Sequence, residues 1–156
     1  MRQELVKIMQ TPLPPIEYQK KRLYVPDVEE IRYLHKILNE VVFGNKLRDP
    51  PLKLKNMMYF GLCSGYAETN KLPHHAAIAL QRRYHCVQWV VLILAHEMAH
   101  QYQWEVDGAV RLVEGKRPLL SHGPTFYKFS KQLKEYGIPL RKSYCSHLWL
   151  ATQNNF

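Results

Sequence analysis

The sequence predicts an α+β domain in which a small antiparallel sheet packs on one long buried helix, with further helices flanking it. Three patterns carry that prediction. Val28, Ile31, Leu34, Leu38 and Val41 recur at the spacing of one helix face. The alternating stretch Leu52, Lys53, Leu54, Lys55 and the apolar residues 76–80 have strand character and are separated by turn formers. Residues 89–95 are continuously apolar, and the chain runs on without glycine or proline to about Asp107, too long for a half-exposed strand. With 156 residues the chain is one domain's length. Its 46% hydrophobic, 22% charged and 12% aromatic composition supplies a core and excludes wholesale disorder. The longest apolar run has seven residues, against about 20 for a bilayer-spanning helix, so no membrane partner is expected.

Residues 1–26, with Pro12, Pro14, Pro15 and Pro26 and the basic Lys20, Lys21 and Arg22, read as an extended arm outside the core, with a short helical piece at its start. Asp27 followed by Glu30 resembles a capping box and opens a helix over 27–43, which Gly44 and Asn45 end. Pro50 and Pro51 mark a turn, and a strand runs from Leu52 towards Phe60. Gly61, Gly65, Asn70 and Pro73 make 61–75 a turn-rich connection to a second strand at 76–80, paired antiparallel with the first. The long helix spans Val87 to about Asp107, and residues 108–121, with Arg111, Lys116 and Arg117, form a surface loop. A last helix starts at Gly123 and Pro124, buries Phe126, Phe129 and Leu133, and stops at Gly137 and Pro139. The folded domain is thus expected over 27–140, and 141–156 is a tail whose Tyr144, Leu148 and Trp149 pack on it.

His96-Glu97-Met98-Ala99-His100 is an HExxH motif. On a helix, the i, i+4 spacing puts both imidazoles on one face, where they can share one zinc ion. Glu97 lies beside them, placed to serve as general base towards a water rather than as a ligand. With 8 histidines in the chain, chance would produce roughly 0.03 such motifs. A catalytic zinc takes three protein ligands, and His122, held by Gly123 and Pro124, is the expected third. His74, His75, His85 and His147 read as surface histidines, His35 as a boundary residue of the first helix, and Glu105 as another conceivable ligand, disfavoured because it lies about two turns from the metal-facing position. Tyr102 is a candidate oxyanion donor, although core packing suits it and Trp104 better.

The string LAHEMAHQYQW followed by SHGPTF resembles the zinc-binding core of the SprT-like metallopeptidases, the Spartan-like protease domain. Val42 to Leu47 (VFGNKL) resembles that family's Phe-x-x-x-Leu segment, Gly61-Leu62-Cys63 its glycine-containing stretch after the first strand, and Ile78-Ala79-Leu80 its short strand before the metal helix. The resemblance covers about residues 27–137. It implies a zincin-like fold, one catalytic zinc on His96, His100 and His122, Glu97 as catalytic base, and cleavage of proteins bound or crosslinked to DNA. The stretch between His100 and Ser121 is longer than in that family, Ser121 stands where a glycine often precedes the third histidine, and no four-cysteine zinc ribbon follows.

A net charge of +9 favours a polyanionic partner. The candidate DNA contacts are Lys128, Lys131 and Lys134 on the last helix, Lys53 and Lys55 on one strand face, and Arg82 and Arg83, with Lys20 to Arg22 as a further cluster. Pairing of Lys131 with Glu135 on a merely solvated face is the competing reading. Cys63, Cys86 and Cys145 form no CxxC pair, and residues 1–10 lack a secretory apolar stretch. A reducing location is therefore expected: the cytoplasm at the nucleoid, or a host cytoplasm if the origin is viral. The expected function is a monomeric zinc endopeptidase acting on protein at DNA, with substrate added as a strand along 76–80. The alternatives are a basic DNA-binding module with structural zinc, and a dedicated processing protease indifferent to DNA.

Overall fold

The computed structural model describes residues 1–66, 75–107 and 122–144. The expected surface loop 108–121, the tail beyond Tyr144 and the connection 67–74 lie outside these residues. The elements are α1 (Arg2–Gln10), α2 (Ile16–Lys20), α3 (Val28–Val41), β1 (Leu52–Leu54), β2 (Gly61–Tyr66), β3 (His75–Leu80), α4 (Val87–Tyr102) with a π-helical turn (Gln103–Asp107), a 3-10 turn (Phe126–Phe129) and α5 (Ser130–Glu135).

α4 is the axis of the molecule. A helix that is apolar all round has to be buried all round, and every residue from Gln88 to Ala99 is. The sheet covers one side, with α3, α1 and the 3-10 turn against the others. α3 begins as expected: Asp27 accepts a hydrogen bond from Glu30 N–H at 2.8 Å. Only half of the capping box forms, because the Glu30 carboxylate accepts instead from the Tyr24 hydroxyl. After the helix the chain turns at Gly44 and Asn45, both with positive φ, and the Asn39 side chain bonds both the N–H and the C=O of Leu47 to fix the turn.

The sheet is α+β in class, as expected, but mixed rather than antiparallel. Its order is β1-β3-β2. β1 pairs parallel with β3, Leu52 opposite Ile78, and β2 pairs antiparallel, Gly61 opposite Leu80. The first strand stops at Leu54, and Gly61–Tyr66, expected as a turn-rich connection, is a full strand. β2 makes the return leg, so β3 resumes the direction of β1. Gly61 marks a close approach instead of a turn: a Cβ there would sit 2.8 Å from Ile93 Cγ2 and 3.0 Å from Glu97 Cγ.

The N-terminal segment also differs from the expected arm. α1 docks on the domain with Leu5 fully buried, and Gln88 of α4 donates to the Thr11 carbonyl at 2.8 Å. Tyr24 and Tyr84 exchange backbone hydrogen bonds of 3.1 and 2.8 Å. The prolines separate two short helices, and one buried leucine with Ile8 and Met9 beside it was too brief a pattern to outweigh them. Among the described residues no helix is long and apolar enough to cross a membrane. Leu5→Ala is expected to cost about 2–5 kcal/mol of stability by denaturant titration, whereas a detached arm would tolerate it without loss.

Candidate metal centre

His96 and His100 project from successive turns of α4, and His122 reaches them from the turn in which Phe126 and Tyr127 N–H bond the Gly123 carbonyl at 3.0 and 3.2 Å. The buried Phe126 ring is the platform for all three, with centroids 4.9, 4.7 and 4.8 Å from His96, His100 and His122. One nitrogen from each imidazole lies within 4.8 Å of the others, close enough to hold a metal ion. His100 Nε2 and His122 Nε2 are 3.2 Å apart. Two nitrogens bound tetrahedrally at 2.0–2.1 Å from one ion stand about 3.3 Å apart, so the spacing fits.

The outward nitrogens of His96 and His100 are tied down. His96 Nδ1 donates to the Arg141 carbonyl at 2.8 Å. His100 Nδ1 donates to Gln103 Oε1 at 2.8 Å, and Gln103 Nε2 donates to Thr125 Oγ1 at 3.0 Å, which orients the amide. A protonated Nδ1 leaves the Nε2 lone pair for the interior of the cluster. Burial lowers the pKa of all three histidines, and burial with the neighbouring imidazoles takes His96 down to about 3. Neutral imidazoles at pH 7 are the protonation state a cation requires.

Glu97 stands beside this group without joining it, its Oε1 3.9 Å from His96 Nε2. It is 5% exposed. Burial raises its pKa to about 8, against the lowering effect of a hydrogen bond from the Cys63 backbone N–H. The carboxylate is therefore clamped between α4 and β2.

The other expected sites fall out differently. Glu105 accepts from Arg48 N–H at 2.9 Å and from Gln101, on a side of α4 away from the imidazole cluster. His35 is a core residue, 2.9 Å from Gln101 Oε1, and no boundary residue. His85, expected at the surface, is buried against the Gln19 carbonyl and the Trp89 ring. His74, His147 and the side chain of His75 lie outside the described residues. Tyr102 packs on Phe129 in the core, the reading that suited it better. Lys128 is drawn off: its Nζ pairs with Asp107 at 2.7 Å and lies 4.9 Å over the Tyr102 ring, so it is no free phosphate contact. Lys131 and Lys134 are exposed on α5, and Lys53, Lys55, Arg82 and Arg83 are exposed at the sheet.

Reading the sequence missed Gln103, the Arg141 carbonyl and the Gly61 to Cys63 backbone. Gln103 was within reach, since three residues past His100 is the next turn on the same side; no local pattern announced the other two. Comparison with protein-family models and with curated proteins finds no match to this chain, so the site stands on its own geometry.

The metal-free protein has a two-sided pH dependence. Glu97, raised from 4.5 to about 8, keeps in the folded state a proton that the unfolded chain releases, so stability falls as pH rises from about 4.5 to 8. The histidines, lowered from 6.5, leave protons to the unfolded chain, so stability also falls as pH drops below 6.5. The two contributions oppose each other between about pH 4.5 and 6.5, so denaturation of metal-free protein is expected to show its net alkaline loss between about pH 6.5 and 8, and Glu97→Gln is expected to abolish that loss.

Proposed function

We propose that this chain is a zinc-dependent endopeptidase of SprT-like type that acts at DNA on proteins bound or crosslinked to it. The observation that carries the reading is a buried glutamate, Glu97, lying beside a cluster of three imidazoles but outside it. A zinc ion held by His96, His100 and His122 would supply Lewis acidity to a water and to a peptide carbonyl. Glu97 accepts the proton of the attacking water and returns it to the leaving amine. Burial makes its carboxylate a stronger base than one in solvent, and the Cys63 N–H holds one face of it so that the other is available to the proton.

A structural site would be closed by a fourth protein donor. Among the described residues the cluster has three, which favours the catalytic reading over a basic module with structural zinc.

The strand expected to receive substrate, β3, is paired on both sides. The outer edge of β2 replaces it in this reading. Phe60 and Gln81 share a ladder hydrogen bond of 2.8 Å, so by alternation Gly61, Cys63 and Gly65 turn their backbone groups outward, beside Glu97. An added peptide strand there would be recognised through its backbone.

DNA contact is supported by one end of the sheet. Because β1 and β3 are parallel, Lys55 after β1 and Arg82 and Arg83 after β3 emerge together, and Lys55 N–H bonds the Leu80 carbonyl at 3.0 Å. Residues 50–66 and 75–88 contain no acidic side chain.

Glu97→Gln is expected to retain zinc and to lose about 10²–10⁴-fold in peptide hydrolysis; wild-type turnover by that variant would defeat the mechanism. Reversing the charge of Lys53, Lys55, Arg82 and Arg83 together is expected to weaken DNA binding and flatten its log–log salt dependence by roughly 3 to 4 units. Reversing Lys131 and Lys134 should do much less. Unchanged binding in the first variant would remove DNA from this surface.

A further inference from the structure

The chain beyond α5 returns to the metal centre. Gly137, at φ +74°, ends α5, and Ile138 and Leu140 are buried, fastening the segment into the core. Arg141 then has both main-chain groups engaged. Its carbonyl accepts from His96 Nδ1 at 2.8 Å, and its N–H donates to the Tyr144 hydroxyl at 3.0 Å. That hydroxyl donates in turn to the Pro139 carbonyl at 2.6 Å. The Tyr144 ring stands edge-on to the His96 ring, centroids 5.6 Å apart. Pro139, Arg141 and Tyr144 thus form a small closed turn whose centre is one phenolic oxygen and whose Arg141 carbonyl accepts from His96.

We propose that Tyr144 is a positioning residue of the metal centre: its hydroxyl holds the Arg141 peptide so that the carbonyl fixes the tautomer and ring orientation of His96. The phenolic oxygen touches no reacting atom. It acts through two hydrogen bonds, as an outer-shell partner of a ligand does. The segment read from the sequence as a packing tail is in this respect part of the site.

The proposal rests on the metal reading above, and its test separates the two. Cobalt(II) affinity is measured by competition with a chelator for wild type, Tyr144→Phe, Tyr144→Leu and, as a stability control far from the centre, Asn39→Ala. Tyr144→Phe keeps the ring and removes the hydroxyl. It is expected to bind cobalt about 10- to 100-fold more weakly, nearly as weakly as Tyr144→Leu, with a changed d–d spectrum, while Asn39→Ala binds as wild type does. A second readout needs no metal: the His96 Nδ1–H resonance, sheltered from water exchange in the wild type, is expected to exchange rapidly in Tyr144→Phe. Wild-type affinity and an unaltered resonance in Tyr144→Phe would overturn the positioning role, as would an equal loss of affinity in Asn39→Ala. Absence of cobalt binding by the wild type would instead overturn the metal centre on which the proposal rests.

Discussion

The constraint on which the structure depends is the placing of His96, Glu97 and His100 on a helix that is mostly apolar and mostly buried. α4 is buried from Gln88 to Ala99, yet it carries His96 and Glu97 at 8% and 5% exposure and the half-buried His100 one turn on. Removing such groups from water without partners costs several kcal/mol each, so the fold has to supply those partners from elsewhere. It brings the Arg141 carbonyl to His96, Gln103 to His100 and the Cys63 N–H to Glu97. On the inner side these bonds leave one nitrogen from each of His96, His100 and His122 within 4.8 Å of the others, close enough to hold a metal ion.

The same constraint explains the sheet. β2 must run close enough to α4 for its backbone to reach Glu97, and at Gly61 the gap leaves no room for even a methyl group. The glycine therefore belongs to the site as much as the carboxylate does. A larger residue there would press on the Glu97 side chain. Fold and site are coupled through this contact: shifting β2 outward would free Glu97 and also disturb its pairing with β3.

Electrostatics follow topology too. In the chain, the basic residues of 53–55 and 82–83 are far apart, and the three lysines of the last helix form the more conspicuous pattern. The parallel pairing of β1 and β3 brings the first group to one end of the sheet, while Lys128 of the second is neutralised by Asp107. Periodicity by itself did not show that one of the three helix lysines is paired.

Much of this was legible in the residues themselves. Helical periodicity set out α3 and α4, the Asp27 cap and Gly44 bounded α3, and HExxH with the His-Gly-Pro turn named the four site residues, because helical spacing and turn chemistry are local properties of the chain. Burial of Leu5 and His85, the direction of β1, the service of Gly61 to close packing rather than to a turn, and the anchoring of His96 by a carbonyl 45 residues downstream were decided only in the folded molecule. Each depends on which segments become neighbours in space, and hydrogen bonds to backbone groups and the absence of a Cβ leave no periodic trace by which that neighbour could be read in advance.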